Sequence, residues 1–241
     1  MKIGIKRENK NRRKNPGLVS AVIVAAGSSR RMGGTDKLAA PLAGSTVIAH
    51  TIRAFQESAE VGEIVLVLRQ GAERSALEGA SGCEKLSRIV HGGDTRTQSA
   101  YAGVMACDPE AEIILIHDGA RPLVTKEVIR NAVEGARKYG AAVPVTPVTD
   151  TVKVGKDGFA DSTPDRSTLF AAQTPQAFRA ELIKAALQDA VDKKLSLTDD
   201  CAAVERLGMH VKLVEGDVRN RKITLPADLA LAEVLYKEMH P

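Results

Sequence analysis

The sequence is poor in residues that mark several functional classes. Aromatic residues make up only 3% of its 241 positions, and Trp is absent, which argues against the stacking platforms that bind single-stranded nucleic acids. The cysteines form no CxxC pair and are three in number, which favours a reducing compartment over a disulfide framework. The five histidines show no metal-binding spacing, and no apolar stretch is long enough for a membrane span. We therefore expect a globular cytoplasmic protein without a membrane partner.

The basic charge is concentrated at the start of the chain. Residues 1–14 carry seven Lys or Arg and one Glu, while the whole chain has a net charge of +4, so the rest is slightly acidic. This segment has no apolar signal-peptide core and lacks the Ser content of a transit peptide. We predict a basic, largely disordered tail at residues 1–16 and a folded domain at residues 17–241. Nucleic-acid binding by the tail is the alternative, but no nucleic-acid partner is expected.

Continuous apolar runs rich in Val and Ile predict a parallel sheet. Such runs are typical of strands covered on both faces, and they occupy residues 18–26, 63–69, 87–90, 112–118, 141–148 and 211–216. Helical patterns lie between them: residues 45–58 begin with a Ser cap, and residues 125–140 begin with Thr and end at Gly. The alternation predicts an α/β fold, with a doubly wound, mostly parallel, Rossmann-like sheet.

One segment interrupts the alternation of strands and helices. Residues 150–176 contain short β-like pieces around "GKDG", which is a hairpin signal, and have too few apolar residues to fold alone. We interpret residues 148–170, approximately, as a β-arm that protrudes from the domain. A long exposed loop is the alternative.

Ligands of doubly wound folds bind beyond the carboxyl ends of the strands. The first strand continues into "AAGSSRRMGGTDK", where Gly27 permits a positive φ and free backbone amides accompany Arg30, Arg31 and Lys37. This combination suits a polyphosphate. The loop lacks the GxxxxGK[ST] and GxGxxG patterns of known phosphate-binding loops. Considered alone, its composition fits an ordinary solvent-exposed loop equally well.

Two further strand ends carry acidic and basic residues. In "GGDTRTQS", residues 92–99, Asp94 and Ser99 suit the polar edge of a base or ribose, whereas Asp94 or Thr95 would equally cap the following helix. In "HDGARP", residues 117–122, Asp118 and Arg121 either bind a ligand or pair with each other. We expect all three strand ends to meet at one edge of the sheet.

The order of these motifs resembles the 2-C-methyl-D-erythritol 4-phosphate cytidylyltransferases of the non-mevalonate isoprenoid pathway. The resemblance extends from residue 18 to about residue 236 and rests on eight motifs in order: "AAGSSRRMGGTDK", "GGDTRTQS", "HDGARP", "DT", "DR", "TPQ", "LTDD" and "KITLPADLALAE". The chain departs from the family pattern at Val24, where many members have Pro, at Gly119, where Ala is common, and at Asp36, which replaces the Pro before Lys37. Ribitol 5-phosphate cytidylyltransferases share most of the motifs and are one alternative. A non-catalytic nucleotide-binding protein of the same fold is another.

The resemblance implies that CTP and methylerythritol phosphate react to give CDP-methylerythritol and pyrophosphate. It implies catalytic cations at Arg31, Lys37, Arg166 and Lys222. The nucleotide-binding positions that it implies are Ala25, Ala26, Gly27, Ser28, Gly93, Asp94, Ser99, Asp118 and Gly119. Those that bind methylerythritol phosphate or the reacting phosphate are Asp118, Arg121, Thr151, Arg166, Thr174, Thr198 and Lys222.

The residue types agree with this chemistry. A phosphate monoester is already anionic at neutral pH and needs no general base, so that the main obstacle is repulsion between two polyanions, which fixed cations relieve. We expect Mg²⁺ as a cofactor held mainly by the CTP phosphates, and we predict no metal ligand on the protein. The resemblance also implies a homodimer in which each arm delivers Arg166 to the site of the partner. A Rossmann dehydrogenase is disfavoured because GxGxxG is missing.

Overall fold

The computed structural model describes residues 17–27, 36–72 and 80–240. The predicted tail at residues 1–16 lies outside the described residues. The strands are β1 (Val19–Ala25), β2 (Pro41–Leu42), β3 (Ser45–Thr46), β4 (Glu63–Leu68), β5 (Leu86–His91), β6 (Ile113–Asp118), β7 (Ala141–Pro147), β8 (Val154–Lys156), β9 (Phe159–Ser162), β10 (Phe170–Ala172), β11 (Gln176–Arg179) and β12 (Lys212–Glu215). The helices are α1 (Val47–Glu57), α2 (Arg96–Ala106), α3 (Lys126–Tyr139), α4 (Ala180–Asp192), α5 (Cys201–Arg206) and α6 (Pro226–Met239), with a 3₁₀ turn at Arg166–Thr168. None of the helices in the described ranges is both long enough and apolar enough to cross a membrane.

Eight strands form the central sheet, and most of them run in the same direction. The order is β10-β7-β11-β6-β1-β4-β5, and β12 pairs with β7. β1 is parallel to β4 and β6, β4 is parallel to β5, and β12 is parallel to β7, whereas β10 and β11 run antiparallel to their neighbours. The predicted mostly parallel α/β sheet is therefore confirmed.

The sheet is covered by helices on both faces because its strands are apolar on both sides. In β1, Ala21 and Ile23 belong to the cluster that includes residues of α1 and α3, while Val22 belongs to the cluster that includes residues of α2, α4 and α5. Helix α2 approaches the sheet very closely at Gly103, where a Cβ atom would lie 2.3 Å from Cγ1 of Val22 and 2.6 Å from Cγ2 of Val67. Only glycine fits this contact without rearrangement.

The helix boundaries test the predicted caps. Helix α3 follows Thr125, whose side chain accepts a hydrogen bond from the backbone of Val128, and it ends at Gly140 with a φ of 90°, as predicted. Helix α1 begins one residue later than predicted: its N-cap is Thr46, whose side chain accepts a hydrogen bond from the backbone N–H of Ala49, and both Ser45 and Thr46 pair in the short β2–β3 hairpin. Both residues can cap a helix, so sequence alone does not separate them.

The predicted hairpin around "GKDG" corresponds to β8 and β9. Asp157 and Gly158 form its two-residue turn with φ angles of 52° and 85°, which is the backbone conformation that Asp-Gly favours in tight hairpins. All residues of both strands are exposed, and the side chain of Phe159 is 80% exposed. The hairpin therefore has almost no packing against the described part of its own chain.

Candidate nucleotide-binding site

A cavity of about 600 Å³ lies where the strand ends meet. The end of β1, the segment between β5 and α2, and the end of β6 all contribute to its wall, together with residues near positions 37 and 222. This confirms that the three strand ends converge at one edge of the sheet. The lining consists of Val24, Ala25, Ala26, Gly27, Lys37, Leu38, Gly93, Asp94, Thr95, Arg96, Ser99, Asp118, Gly119, Ala120, Lys222 and Thr224.

Asp118, the last residue of β6, is surrounded by positive charge. Its carboxylate lies 3.0 Å from Nζ of Lys222, 3.3 Å from Nε of Arg121 and 3.9 Å from Nη2 of Arg96. Burial by itself raises the pKa of Asp118, but these three cations lower the pKa well below its usual value. Asp118 is therefore ionised at neutral pH, and it holds three cationic side chains together at the cavity.

Two lysines from distant parts of the chain, Lys37 and Lys222, line the cavity. Nζ of Lys37 donates a hydrogen bond to the backbone carbonyl of Ile223 at 3.2 Å, next to Lys222. The preceding residue, Asp36, accepts a hydrogen bond from the backbone N–H of Leu38 and forms an ion pair of 2.6 Å with Arg69. Asp36 thus fixes the local turn that carries Lys37.

The loop before α2 leaves its acidic side chain available to the cavity. Thr95 caps α2 in a capping box with Gln98, and Oγ of Ser99 donates a hydrogen bond to the backbone carbonyl of Thr95 at 2.9 Å. Because Thr95 caps the helix, Asp94 does not have this structural task. The choice between Asp94 and Thr95 as the cap is thereby decided.

Arg96 is a functional candidate that the sequence analysis did not assign. Its guanidinium forms two parallel hydrogen bonds of 2.9 and 2.7 Å with the carboxylate of Asp200, whose side chain is only 1% exposed. Although burial by itself lowers the pKa of Arg96, Asp200 raises this pKa above its usual value, and the guanidinium stays charged. Arg96 lies in the motif "GGDTRTQS" and Asp200 lies in "LTDD". Their presence in these two motifs was the signal from which the sequence could have identified them as functional candidates.

Most of the predicted nucleotide-binding residues line the cavity. They are Ala25, Ala26, Gly27, Gly93, Asp94, Ser99, Asp118 and Gly119. Gly27 does not adopt the positive φ that its position permits. Ser28 and the predicted catalytic Arg31 lie outside the described residues.

The predicted substrate-binding residues separate into three groups. Lys222 and Asp118 line the cavity, and Arg121 contacts Asp118. Thr174 is buried behind Asp118, where its Oγ1 accepts a hydrogen bond from the backbone N–H of Asp118 at 3.1 Å. The remaining three are exposed and do not belong to the described lining: Thr151, Arg166 and Thr198. Arg166 follows the hairpin and donates a hydrogen bond to the backbone carbonyl of Thr149 at 2.7 Å.

The protein side chains offer little to a metal ion on their own. Within residues 17–27, 36–72 and 80–240, no group of three His, Cys, Asp or Glu side chains is arranged to hold one. The carboxylates on the cavity wall belong to Asp94 and Asp118. A divalent ion that takes most of its oxygen ligands from a polyphosphate fits this donor set.

Comparisons with known proteins agree with this geometry. Residues 19–238 match the sequence model of the family 2-C-methyl-D-erythritol 4-phosphate cytidylyltransferase. An enzyme of that name from Caldanaerobacter subterraneus is 45% identical over 226 residues, which cover 91% of this chain and 99% of the relative. One from Pelotomaculum thermopropionicum is 44% identical, with 91% and 94% covered.

Solved structures extend the likeness to three dimensions. The crystal structure of 4-diphosphocytidyl-2C-methyl-D-erythritol synthase from Anaerococcus prevotii superimposes with a TM-score of 0.83 at 32% identity, and 92% of this chain and 100% of that chain are covered. The 2-C-methyl-D-erythritol 4-phosphate cytidylyltransferase from Thermus thermophilus gives a TM-score of 0.76 at 33% identity, with 91% and 99% covered. From its sequence, its fold and the composition of its cavity, the chain belongs to the 2-C-methyl-D-erythritol 4-phosphate cytidylyltransferase family.

Proposed function

We propose that this enzyme transfers the cytidylyl group of CTP to 2-C-methyl-D-erythritol 4-phosphate and releases pyrophosphate. The observation that carries the proposal is that Lys37, Lys222 and Asp118 line the same cavity as Asp94 and Ser99. Family membership over residues 19–238 supports the same reaction. The names of the relatives do not favour the ribitol 5-phosphate alternative.

The reaction needs charge stabilisation more than proton transfer. An oxygen of the acceptor phosphate attacks the α-phosphorus of CTP, a new P–O bond forms, and the bond to the β-phosphate breaks so that pyrophosphate leaves with its electrons. Lys37 and Lys222 are suited to offset the repulsion of the approaching phosphate and the negative charge that grows on the α-phosphate oxygens. Fixed cations of this kind typically contribute about 10²–10³ in rate.

The nucleotide base would contact the loops after β1 and β5. These loops lie so close that a Cβ atom on Gly92 would be 2.5 Å from the Cβ of Ala26. We propose that Asp94 and Ser99, which line the cavity beside these loops, recognise the pyrimidine. A site built around the exocyclic amine of cytosine should reject UTP by roughly 1–3 kcal/mol, because bound UTP would leave the acceptor for that amine unpaired.

We propose Mg²⁺ as the cofactor, bound mainly through the phosphates of CTP. Asp94 and Asp118 are the carboxylates on the cavity wall, and Asp118 already faces Lys222 and Arg121. When bound, such an ion would neutralise part of the negative charge of the phosphates. We also propose a cytoplasmic location, because three cysteines without a CxxC pair favour a reducing compartment.

One assay tests the reaction itself. Pyrophosphate release is measured with CTP or UTP and with methylerythritol phosphate or ribitol 5-phosphate as the acceptor. We expect release with CTP and methylerythritol phosphate, at least about fivefold faster than with UTP. Faster turnover of ribitol 5-phosphate would overturn the choice of acceptor, and equal rates with UTP would overturn the choice of nucleotide.

We also propose a homodimer in which the arm completes the partner's site. Phe159 is 80% exposed and Phe170 is 44% exposed on this segment, and a hairpin with so little packing is marginal in water by itself. A second copy of the chain would cover these side chains. Thr151 and Arg166 would then act across the interface.

A mixed-dimer experiment tests this arrangement. Arg166→Ala and Lys222→Ala homodimers should each be nearly inactive. After subunit exchange, half of the dimers are mixed and each has one intact site, so about a quarter of wild-type activity should return. Activity that stays at the level of the separate variants, in a sample with demonstrated exchange, would mean that Arg166 acts within its own chain.

A further inference from the structure

The ring of His117 is fully buried beneath the cavity and contacts a polar group at each nitrogen. Nδ1 lies 3.0 Å from Oγ1 of Thr174, and Nε2 lies 3.2 Å from the backbone carbonyl of Arg121. Phe55 packs against the ring with a centroid distance of 4.8 Å. The polar contacts of this buried ring therefore depend on one specific distribution of protons.

That distribution follows from the partners. A carbonyl oxygen can only accept, so Nε2 carries the hydrogen that is donated to Arg121. Neutral Nδ1 then accepts from the hydroxyl of Thr174, whose oxygen accepts in turn from the backbone N–H of Asp118 at 3.1 Å. The chain of hydrogen bonds runs from Asp118 N–H through Thr174 and His117 to the carbonyl of Arg121.

These contacts hold both ends of one turn. The backbone N–H of Arg121 donates to the carbonyl of Asp118 at 3.1 Å, so residues 118–121 form a tight turn. His117 fixes the amide at the start of this turn, through Thr174, and the carbonyl at its end. Asp118 and Arg121 occupy these two positions, and the family resemblance implies that both side chains bind methylerythritol phosphate or the reacting phosphate.

We propose that His117 is a positioning residue for the acceptor phosphate. Through Thr174 and the Arg121 carbonyl, it holds the 118–121 turn so that Asp118 and Arg121 keep their places beside Lys222. His117 itself does not belong to the described cavity lining, and it acts only through these neighbours. The identity of the acceptor in this inference rests on the proposed function, whereas the hydrogen-bond pattern around His117 does not depend on it.

Matched variants separate the two hydrogen bonds of the ring. Thr174→Val keeps the shape of the side chain but removes the hydroxyl, whereas Thr174→Ser keeps the hydroxyl. His117→Gln keeps a donor near Nε2, and His117→Asn keeps an acceptor near Nδ1. We expect Thr174→Val to lower kcat/KM for methylerythritol phosphate about tenfold, the scale of one lost buried hydrogen bond, while the KM for CTP changes less than twofold and Thr174→Ser stays near wild type.

Two results would overturn the proposal. One is a folded Thr174→Val enzyme with wild-type kcat/KM for the acceptor, or with equal losses for acceptor and CTP, which would indicate general distortion. The other comes from ¹⁵N NMR of the histidine side chains in the wild-type protein: we expect His117 as the neutral form with the proton on Nε2, and a proton on Nδ1 at neutral pH would refute the hydrogen-bond chain. The NMR measurement tests the inference even if wild-type enzyme proves inactive toward methylerythritol phosphate, which would refute only the proposed function.

Discussion

Acidification should lower the free energy of unfolding through the protonation of His117. Burial lowers the pKa of His117 from 6.5 to about 3, although the nearby Asp118 opposes this change. In the unfolded chain the imidazole has its ordinary pKa, so below pH 6.5 the unfolded state binds a proton that the folded state does not. The stabilisation by neutral His117 is therefore complete above pH 6.5 and is lost as the pH falls toward 3.

The size of the effect follows from linkage. Each pH unit in this window is worth about 1.36 kcal/mol, so the free energy of unfolding should fall by about 2 kcal/mol between pH 7 and pH 5 through His117 alone. The assay is urea denaturation at pH 7, 6 and 5, at one fixed protein concentration because a dimer is proposed. His117→Asn serves as the reference that lacks this titration.

The decisive quantity is the difference between the two proteins at each pH. Contributions of other titrating groups are common to both and cancel, provided that the substitution leaves them unchanged. We expect the advantage of wild type over His117→Asn to shrink by about 2 kcal/mol from pH 7 to pH 5. A difference that stays constant across the three pH values would show that His117 has the same pKa in both states and would refute the reasoning.

Three further predictions concern other parts of the molecule. Lys222→Ala should lower kcat, measured by pyrophosphate release, about 10²-fold or more. Lys237→Ala, on the exposed side of α6, serves as the control and should leave kcat unchanged. Equal activity of the two variants would remove Lys222 from the mechanism. Asp200→Asn should lower the free energy of unfolding by about 3 kcal/mol, because it leaves the guanidinium of Arg96 without its buried counter-charge, and an unchanged urea midpoint would contradict this. Gly103→Ala should destabilise by about 1–3 kcal/mol through overpacking against the sheet, and a variant as stable as wild type would show that α2 can move away without cost.

The fold could be predicted from the sequence wherever a local pattern determines the structure. The continuous Val and Ile runs identify the strands because both faces of the sheet are covered, and the convergence of the strand ends follows from parallel topology. The cap of α1 was misplaced by one residue because Ser45 and Thr46 are both good cap residues, and the hydrogen bond from the backbone N–H of Ala49 to the side chain of Thr46 identifies the cap.

The candidate site was less predictable because its contacts join distant parts of the chain. Arg96 and Asp200 are 104 positions apart, and no local pattern signals that they pair. The same is true of His117 and Thr174, which are 57 positions apart. The sequence therefore predicted which segments form the cavity, whereas the hydrogen-bond partners that orient its side chains required the three-dimensional structure.

The pairing of Asp36 with Arg69 changes the kind of restraint that acts on Lys37. A proline at position 36, which the family resemblance leads us to expect there, would limit the backbone with a covalent ring that no change of solvent can release. Asp36 instead uses a hydrogen bond to the backbone of Leu38 and a partly exposed ion pair of 2.6 Å, and an ion pair of that kind weakens as salt screens it. We therefore expect the placement of Lys37 at the cavity to respond to ionic strength, a response that a proline at position 36 would not confer.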